Sequence, residues 1–195
     1  GTVRYNYTYN PDGTVSAVDI YGESNLSGDV LNTYDALGRL GSKVYIYGSY
    51  TYTNTVSYTY KDRNTTNTTT QVSTYSTQVN SNTATTYTYT YDSKGNITKI
   101  TDNSGNITKY TYDDLSQLIR EDNPYTNESY KYTYDNNGNR TKKETYAYTT
   151  GTLGTATSTE NYTYGNSSWG DQLTKVGTTS ITYDAIGNPL TYGDT

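Results

Sequence analysis

The residues with the clearest capacity for chemistry are aspartates in a fixed frame. Asp35, Asp92, Asp102, Asp113, Asp135 and Asp184 are followed, three residues on, by Gly38, Gly95, Gly105, Ser116, Gly138 and Gly187. Carboxylates so placed have three uses. A calcium loop takes ligands at alternate positions and closes with a distal Glu; Asp135-Asn136-Asn137-Gly138 lacks that spacing. Glycoside hydrolysis needs two carboxylates facing each other across a cleft. Glu121, Asp122, Asp113 and Asp114 are the available set, and nothing in the sequence opposes any two of them. The third use is architectural: an Asp opening a tight turn accepts backbone N–H bonds from the residues just ahead. The constant distance to glycine favours this use. With no His, a serine nucleophile has no imidazole base, and with no Cys there is neither thiolate, disulfide nor cysteine zinc site. The sequence therefore reads as a non-enzyme without cofactor or metal.

The second chemical resource is aromatic. The chain has 27 Tyr and a single Trp, Trp169, and no Phe or Met. Tyrosine and tryptophan rings stack on the flat apolar faces of sugars, and they also pack against one another. Trp169 lies in a segment rich in glycine and serine, where an indole has no evident local partner. It stands as a packing anchor or as a glycan contact.

The elements that position these residues follow from period two. Tyr5, Tyr7 and Tyr9 alternate with polar residues, as do Tyr87, Tyr89 and Tyr91, and Tyr130, Tyr132 and Tyr134. Successive side chains of a strand point to opposite faces, so this is a tyrosine face backed by a face mostly of threonine. Each run ends in a turn. Clear copies are Tyr34-Asp35-Ala36-Leu37-Gly38, Tyr91-Asp92-Ser93-Lys94-Gly95, Tyr134-Asp135-Asn136-Asn137-Gly138 and Tyr183-Asp184-Ala185-Ile186-Gly187. Weaker ones are Tyr9-Asn10-Pro11-Asp12-Gly13, Thr101-Asp102-Asn103-Ser104-Gly105, Tyr112-Asp113-Asp114-Leu115-Ser116 and Tyr60-Lys61-Asp62-Arg63-Asn64. The glycine falls where a hairpin loop needs a left-handed residue, and Ser116 is the poorest fit. Tyr91 and Tyr112 are 21 residues apart, and Tyr112 and Tyr134 are 22 apart, enough for two short strands and their connections. Longer gaps contain 64–86 and 149–160, which read as hairpin arms or loops, and 21–33 reads as an insertion.

Composition narrows the class. A net charge of −5 argues against nucleic acid or an anionic membrane surface as partner. No apolar run approaches the about 20 residues of a membrane helix. The pattern is already under way at Gly1 and unfinished at Thr195, so residues 1–195 read as one repeat array cut from a longer chain. Such a piece exposes two sheet edges, and edge-to-edge self-association is expected.

The Tyr-Asp-x-x-Gly-[Asn/Arg] motif followed by an aliphatic residue resembles the YD repeat of RHS proteins, with Tyr34-Asp35-Ala36-Leu37-Gly38-Arg39-Leu40 a close match. The segment Tyr162-Thr163-Tyr164-Gly165-Asn166-Ser167-Ser168-Trp169-Gly170-Asp171-Gln172-Leu173 is similar to a stretch of large wall-associated and secreted RHS proteins of Gram-positive bacteria. The resemblance implies an all-β chain of repeated antiparallel hairpins in a continuous curved or spiral sheet. It further implies a secreted or cell-surface address, and shell material around a C-terminal toxin or effector, with neighbouring repeats as partners. The family's Asp-Pro-x-Gly self-cleavage element is not present; Asp184-Ala185-Ile186-Gly187 is its nearest relative and reads as an ordinary repeat turn.

Overall fold

The structure, a computed structural model, describes residues 2–22, 27–48, 52–62 and 68–192. They form an all-β fold of antiparallel hairpins, gathered into two compact units. One comprises Gly1–Thr90 with Ile100–Asn106, the other Tyr91–Lys99 with Ile107–Thr195.

The first unit holds β1 (Arg4–Tyr9), β2 (Val15–Tyr21), β3 (Ser27–Tyr34), β4 (Leu40–Tyr47), β5 (Tyr52–Asp62), β6 (Thr68–Val79) and β7 (Thr85–Tyr91). They make an open antiparallel sheet whose strand order is chain order. The register realises the two-faced pattern. Thr33, Ser42, Ser57, Ser76 and Thr86 stand opposite one another in turn across β3 to β7 as a rank of hydroxyls. On the other face Tyr58, Tyr75 and Tyr87 form a rank of rings across β5, β6 and β7. Alternation at period two, kept in register, is what segregates hydroxyls from rings. Segment 64–86 resolves into a hairpin arm wherever it is described: β6 is 12 residues long and pairs with both β5 and β7. The expected insertion over 21–33 does not hold, since Ser27–Tyr34 is strand β3, paired on both sides. Its side chains Val30, Leu31 and Asn32 carry the pattern that sparse tyrosine had concealed. The expected turn Tyr60-Lys61-Asp62-Arg63-Asn64 runs outside the described residues at Arg63.

The second unit holds β9 (Ile107–Tyr112), β10 (Leu118–Asn123), β11 (Glu128–Tyr134), β12 (Arg140–Ala147), β13 (Ser158–Thr163), β14 (Lys175–Val176), β15 (Thr179–Tyr183) and β16 (Pro189–Tyr192). Each pairs antiparallel with the next. β8 (Ile97–Asp102) is divided between the units. Segment 149–160 is loop up to Thr157 and strand from Ser158. Few side chains are fully buried: among the described residues Tyr146 is the one buried hydrophobic, beside Thr108, Asp122 and Ser129. Order therefore rests on backbone ladders, half-buried rings and side-chain hydrogen bonds more than on an aliphatic interior.

Candidate functional site: the repeat turn and the Trp169 hollow

In each described Asp-x-x-Gly turn the aspartate N–H donates to the carbonyl four residues on, and the N–H of the glycine position donates back to the aspartate carbonyl, at 2.9–3.2 Å. This is a type I turn closed by a left-handed residue. Gly38, Gly95, Gly105, Gly138 and Gly187 have φ between 74° and 94°. Ser116, the poor fit, adopts the same conformation at φ 63° and closes the same two bonds. A non-glycine residue tolerates this at a modest cost that the turn's other bonds offset.

The aspartate carboxylate is committed inside its own turn. Oδ1 of Asp35, Asp92, Asp102, Asp113, Asp135 and Asp184 accepts the N–H groups of the second and fourth residues ahead, at 2.8–3.0 Å. In Asp35, Asp92, Asp102, Asp135 and Asp184, Oδ2 accepts the side chain of that fourth residue. Asn96, Asn106, Asn139 and Asn188 donate from Nδ2 at 2.9–3.1 Å, and Arg39 donates from Nε at 2.6 Å. These bonds favour the ionised form. The Arg39 bond holds Asp35 below the ordinary carboxylate value, and the Asn96, Asn139 and Asn188 bonds do the same for Asp92, Asp135 and Asp184.

The tyrosines of the repeat are committed to the hairpin before. Tyr34 donates its hydroxyl to the Val15 carbonyl at 2.9 Å, Tyr60 to Leu40 at 2.9 Å, Tyr112 to Ile97 at 2.9 Å, Tyr134 to Leu118 at 2.8 Å and Tyr164 to Arg140 at 3.1 Å. In four of these the acceptor is the strand partner of the previous hairpin's tyrosine: Val15 faces Tyr9, Leu40 faces Tyr34, Leu118 faces Tyr112 and Arg140 faces Tyr134. The register slips at just these points, where a bulge leaves backbone groups outside the ladder. Each hydroxyl satisfies such a group. Tyr183 varies the scheme by donating to Leu173 at 2.6 Å.

The carboxylates considered for hydrolysis do not converge. Asp113 is spent in its turn. Glu121 accepts from Asn123 and from the Tyr132 hydroxyl, while Asp122, its neighbour along β10, points to the other face and takes Arg120 Nε at 2.8 Å. Asp114 contributes its carbonyl to Lys94. Around Asp122 the second unit has its most buried polar cluster. Arg120 Nη2 and Ser129 Oγ both donate to the Thr149 carbonyl, and Thr149 N–H returns a bond to Ser129 Oγ, which pins the start of the 149–157 loop. On the tyrosine face Arg140 lies 4.3 Å above the Tyr162 ring and Lys143 lies 4.4 Å above Tyr130. Burial pushes the Tyr162 hydroxyl up to about 12.

Trp169 is 47% exposed. Its indole lies over Gly187, so close that a Cβ there would stand 2.4 Å from the ring. Asn166, Gln172, Thr174 and Tyr183 line a hollow of about 390 Å³ beside it. The sequence singled out the aspartates, the glycines and Trp169 as candidates. It missed the tyrosine-to-carbonyl bonds, the Arg120–Asp122–Thr149 cluster and the seat of Trp169 on Gly187. The asparagine or arginine after each glycine was visible in the motif, yet its bond to Oδ2 was not foreseen.

Residues 91–128 match the RHS Repeat family model. No curated protein matches the chain in sequence. Among solved structures, the chain is similar to TcdB2-TccC3 without its hypervariable C-terminal region, at 18% identity and a TM-score of 0.68. It is likewise similar to the Photorhabdus luminescens Tc holotoxin pore, at 17% identity and a TM-score of 0.66. Each match covers 96% of this chain and 11% of the matched chain, so the chain spans about a tenth of its structural neighbours. The matched stretch runs through the Asp92, Asp102 and Asp113 turns, so residues 91–128 resemble an RHS repeat, and the same turn chemistry recurs outside the match at Asp35, Asp135 and Asp184.

Proposed function

We propose that residues 1–195 are a single repeat array serving as scaffold in a secreted or surface bacterial RHS/YD-repeat protein, without catalysis of their own. In this reading the hairpins extend a curved sheet through neighbouring repeats of the parent polypeptide, and the shell so formed encloses a C-terminal toxin or effector. The observation that supports it is the commitment of the repeated side chains. The aspartates are spent on their own turns, and Tyr34, Tyr60, Tyr112, Tyr134 and Tyr164 on the preceding hairpin, which favours a structural use of both. The test is limited proteolysis of the full parent polypeptide. A domain downstream of the repeats that survives protease while the array is intact, and is digested once it is unfolded, supports the reading. Equal digestion in both states contradicts it.

A second reading is favoured by the half-exposed Trp169 beside a hollow lined with Asn166 and Gln172: contact with a glycan, the sugar ring stacking on the indole. A glycan array with Trp169→Ala as control decides it, and absence of binding by the unsubstituted chain removes it. The wholly exposed strand β1 is the surface on which edge-to-edge self-association would act. Sedimentation that shows a strict monomer at high concentration contradicts that part.

A further inference from the structure

We propose that Tyr58, Tyr75 and Tyr87 form a site of oxidative dityrosine cross-linking that staples β6 to β5 or to β7. The three residues stand directly opposite one another in register. Their ring centroids are 5.6 Å and 6.2 Å apart, at interplanar angles of 51° and 23°. Two rings so close, carried on paired strands, reach coupling contact by side-chain rotation with the ladder intact. The other ring pairs differ: Tyr7 with Tyr9 and Tyr130 with Tyr132 lie on one strand, and coupling them joins nothing. Tyr47 and Tyr52 do face each other, at 5.9 Å, but join only the near ends of β4 and β5.

Composition directs oxidation to these rings. Cysteine and methionine are the usual sinks for oxidising equivalents, and the chain has neither. What remains is tyrosine and one tryptophan, which lies in the other unit. Tyr47 at the end of β4 and Tyr52 at the start of β5, 51% and 44% exposed, offer entry points. Transfer of a hydrogen atom between phenols is nearly thermoneutral, so a radical formed there moves along the tyrosine face to the rank. Tyr45, opposite Asn54, stands between that entry and Tyr58 on the same face.

The oxidant is hydrogen peroxide acting through a haem peroxidase. Each of two phenols gives up its hydroxyl hydrogen as one electron and one proton. The phenoxyl radicals then form a carbon–carbon bond between the ring positions ortho to oxygen. Each ring regains aromaticity by passing its displaced ring hydrogen to oxygen. The peroxide takes up both electrons and both protons, so that two tyrosines and one peroxide give one dityrosine and two waters. The product ties β6 covalently to a neighbour in a chain that has no disulfide.

The test is oxidation of the whole folded chain at low concentration with peroxidase and hydrogen peroxide, followed by isolation of the monomer and mass mapping of linked peptides. The expected product is a Tyr58–Tyr75 or Tyr75–Tyr87 link, lighter by two hydrogens, with a raised urea midpoint. Tyr75→Phe keeps the ring but cannot couple, and is expected to abolish both links. Tyr87→Phe is expected to leave the Tyr58–Tyr75 link. Linkage confined to other tyrosines overturns the proposal. So does an equal yield of the rank links in unfolding concentrations of urea, because the folded register would then not be the cause.

Discussion

At the scale of single residues, the repeat aspartates decide how the fold responds to acid. Asp12, Asp35, Asp92, Asp135 and Asp184 are all held below the ordinary aspartate value by hydrogen bonds to their ionised form, Thr14 playing the part for Asp12. A group whose pKa is lower folded than unfolded lends stability above its unfolded value, and that stability is lost as pH falls through the folded value. Urea midpoints should therefore stay level from pH 8 down to about pH 5 and fall steeply below about pH 4. The absence of histidine removes the usual titration between these limits. Asp92→Asn should flatten part of the acid fall. A second prediction at this scale concerns Gly187, which meets the indole and has φ 90°. Gly187→Ala should cost about 1–3 kcal/mol and shift the emission of the single tryptophan. Unchanged emission would mean that Trp169 does not sit on that turn. The role of the aspartates was legible beforehand and that of Gly187 was not, because a chain-local frame shows the aspartate and glycine of one turn but not the ring that a loop folds onto it.

At the scale of elements, strands and turns were legible and the fastenings between them were not. Period two placed Tyr130, Tyr132 and Tyr134 on one face because it is a local property of the chain. The destination of the Tyr134 hydroxyl depends on where β10 lies, 16 residues back, and on the bulge that frees the Leu118 carbonyl. Strand β3 was misjudged as an insertion because Val30, Leu31 and Asn32 stand where other hairpins carry Tyr and Thr. Asp122 was among the carboxylates available for hydrolysis, but it pairs with Arg120, which holds the 149–157 loop through the Thr149 carbonyl. Asp122→Ala leaves Arg120 without its carboxylate and should destabilise the second unit by about 1–3 kcal/mol. Protease should then cut first within 149–157. Cutting elsewhere at an unchanged rate would dismiss this anchoring role.

At the scale of the whole chain, repetition of the hairpin converts a nearest-neighbour bond into an architecture. An array in which each unit touches only its neighbours has a stability that is roughly a sum of unit and interface contributions. Here the tyrosine hydroxyl supplies part of the interface, and the aspartate supplies part of the unit. That division explains how the chain orders itself over so many hairpins with no fully buried aliphatic side chain among the described residues. The most direct test is urea unfolding of Tyr134→Phe, Tyr34→Phe and the double variant. Phenylalanine keeps the ring and removes only the hydroxyl bond to Leu118 or Val15. Each single substitution should cost about 0.5–1.5 kcal/mol, and the two should add because the sites share no partner. Stability unchanged by either substitution would contradict the claim that these tyrosines fasten one hairpin to the one before.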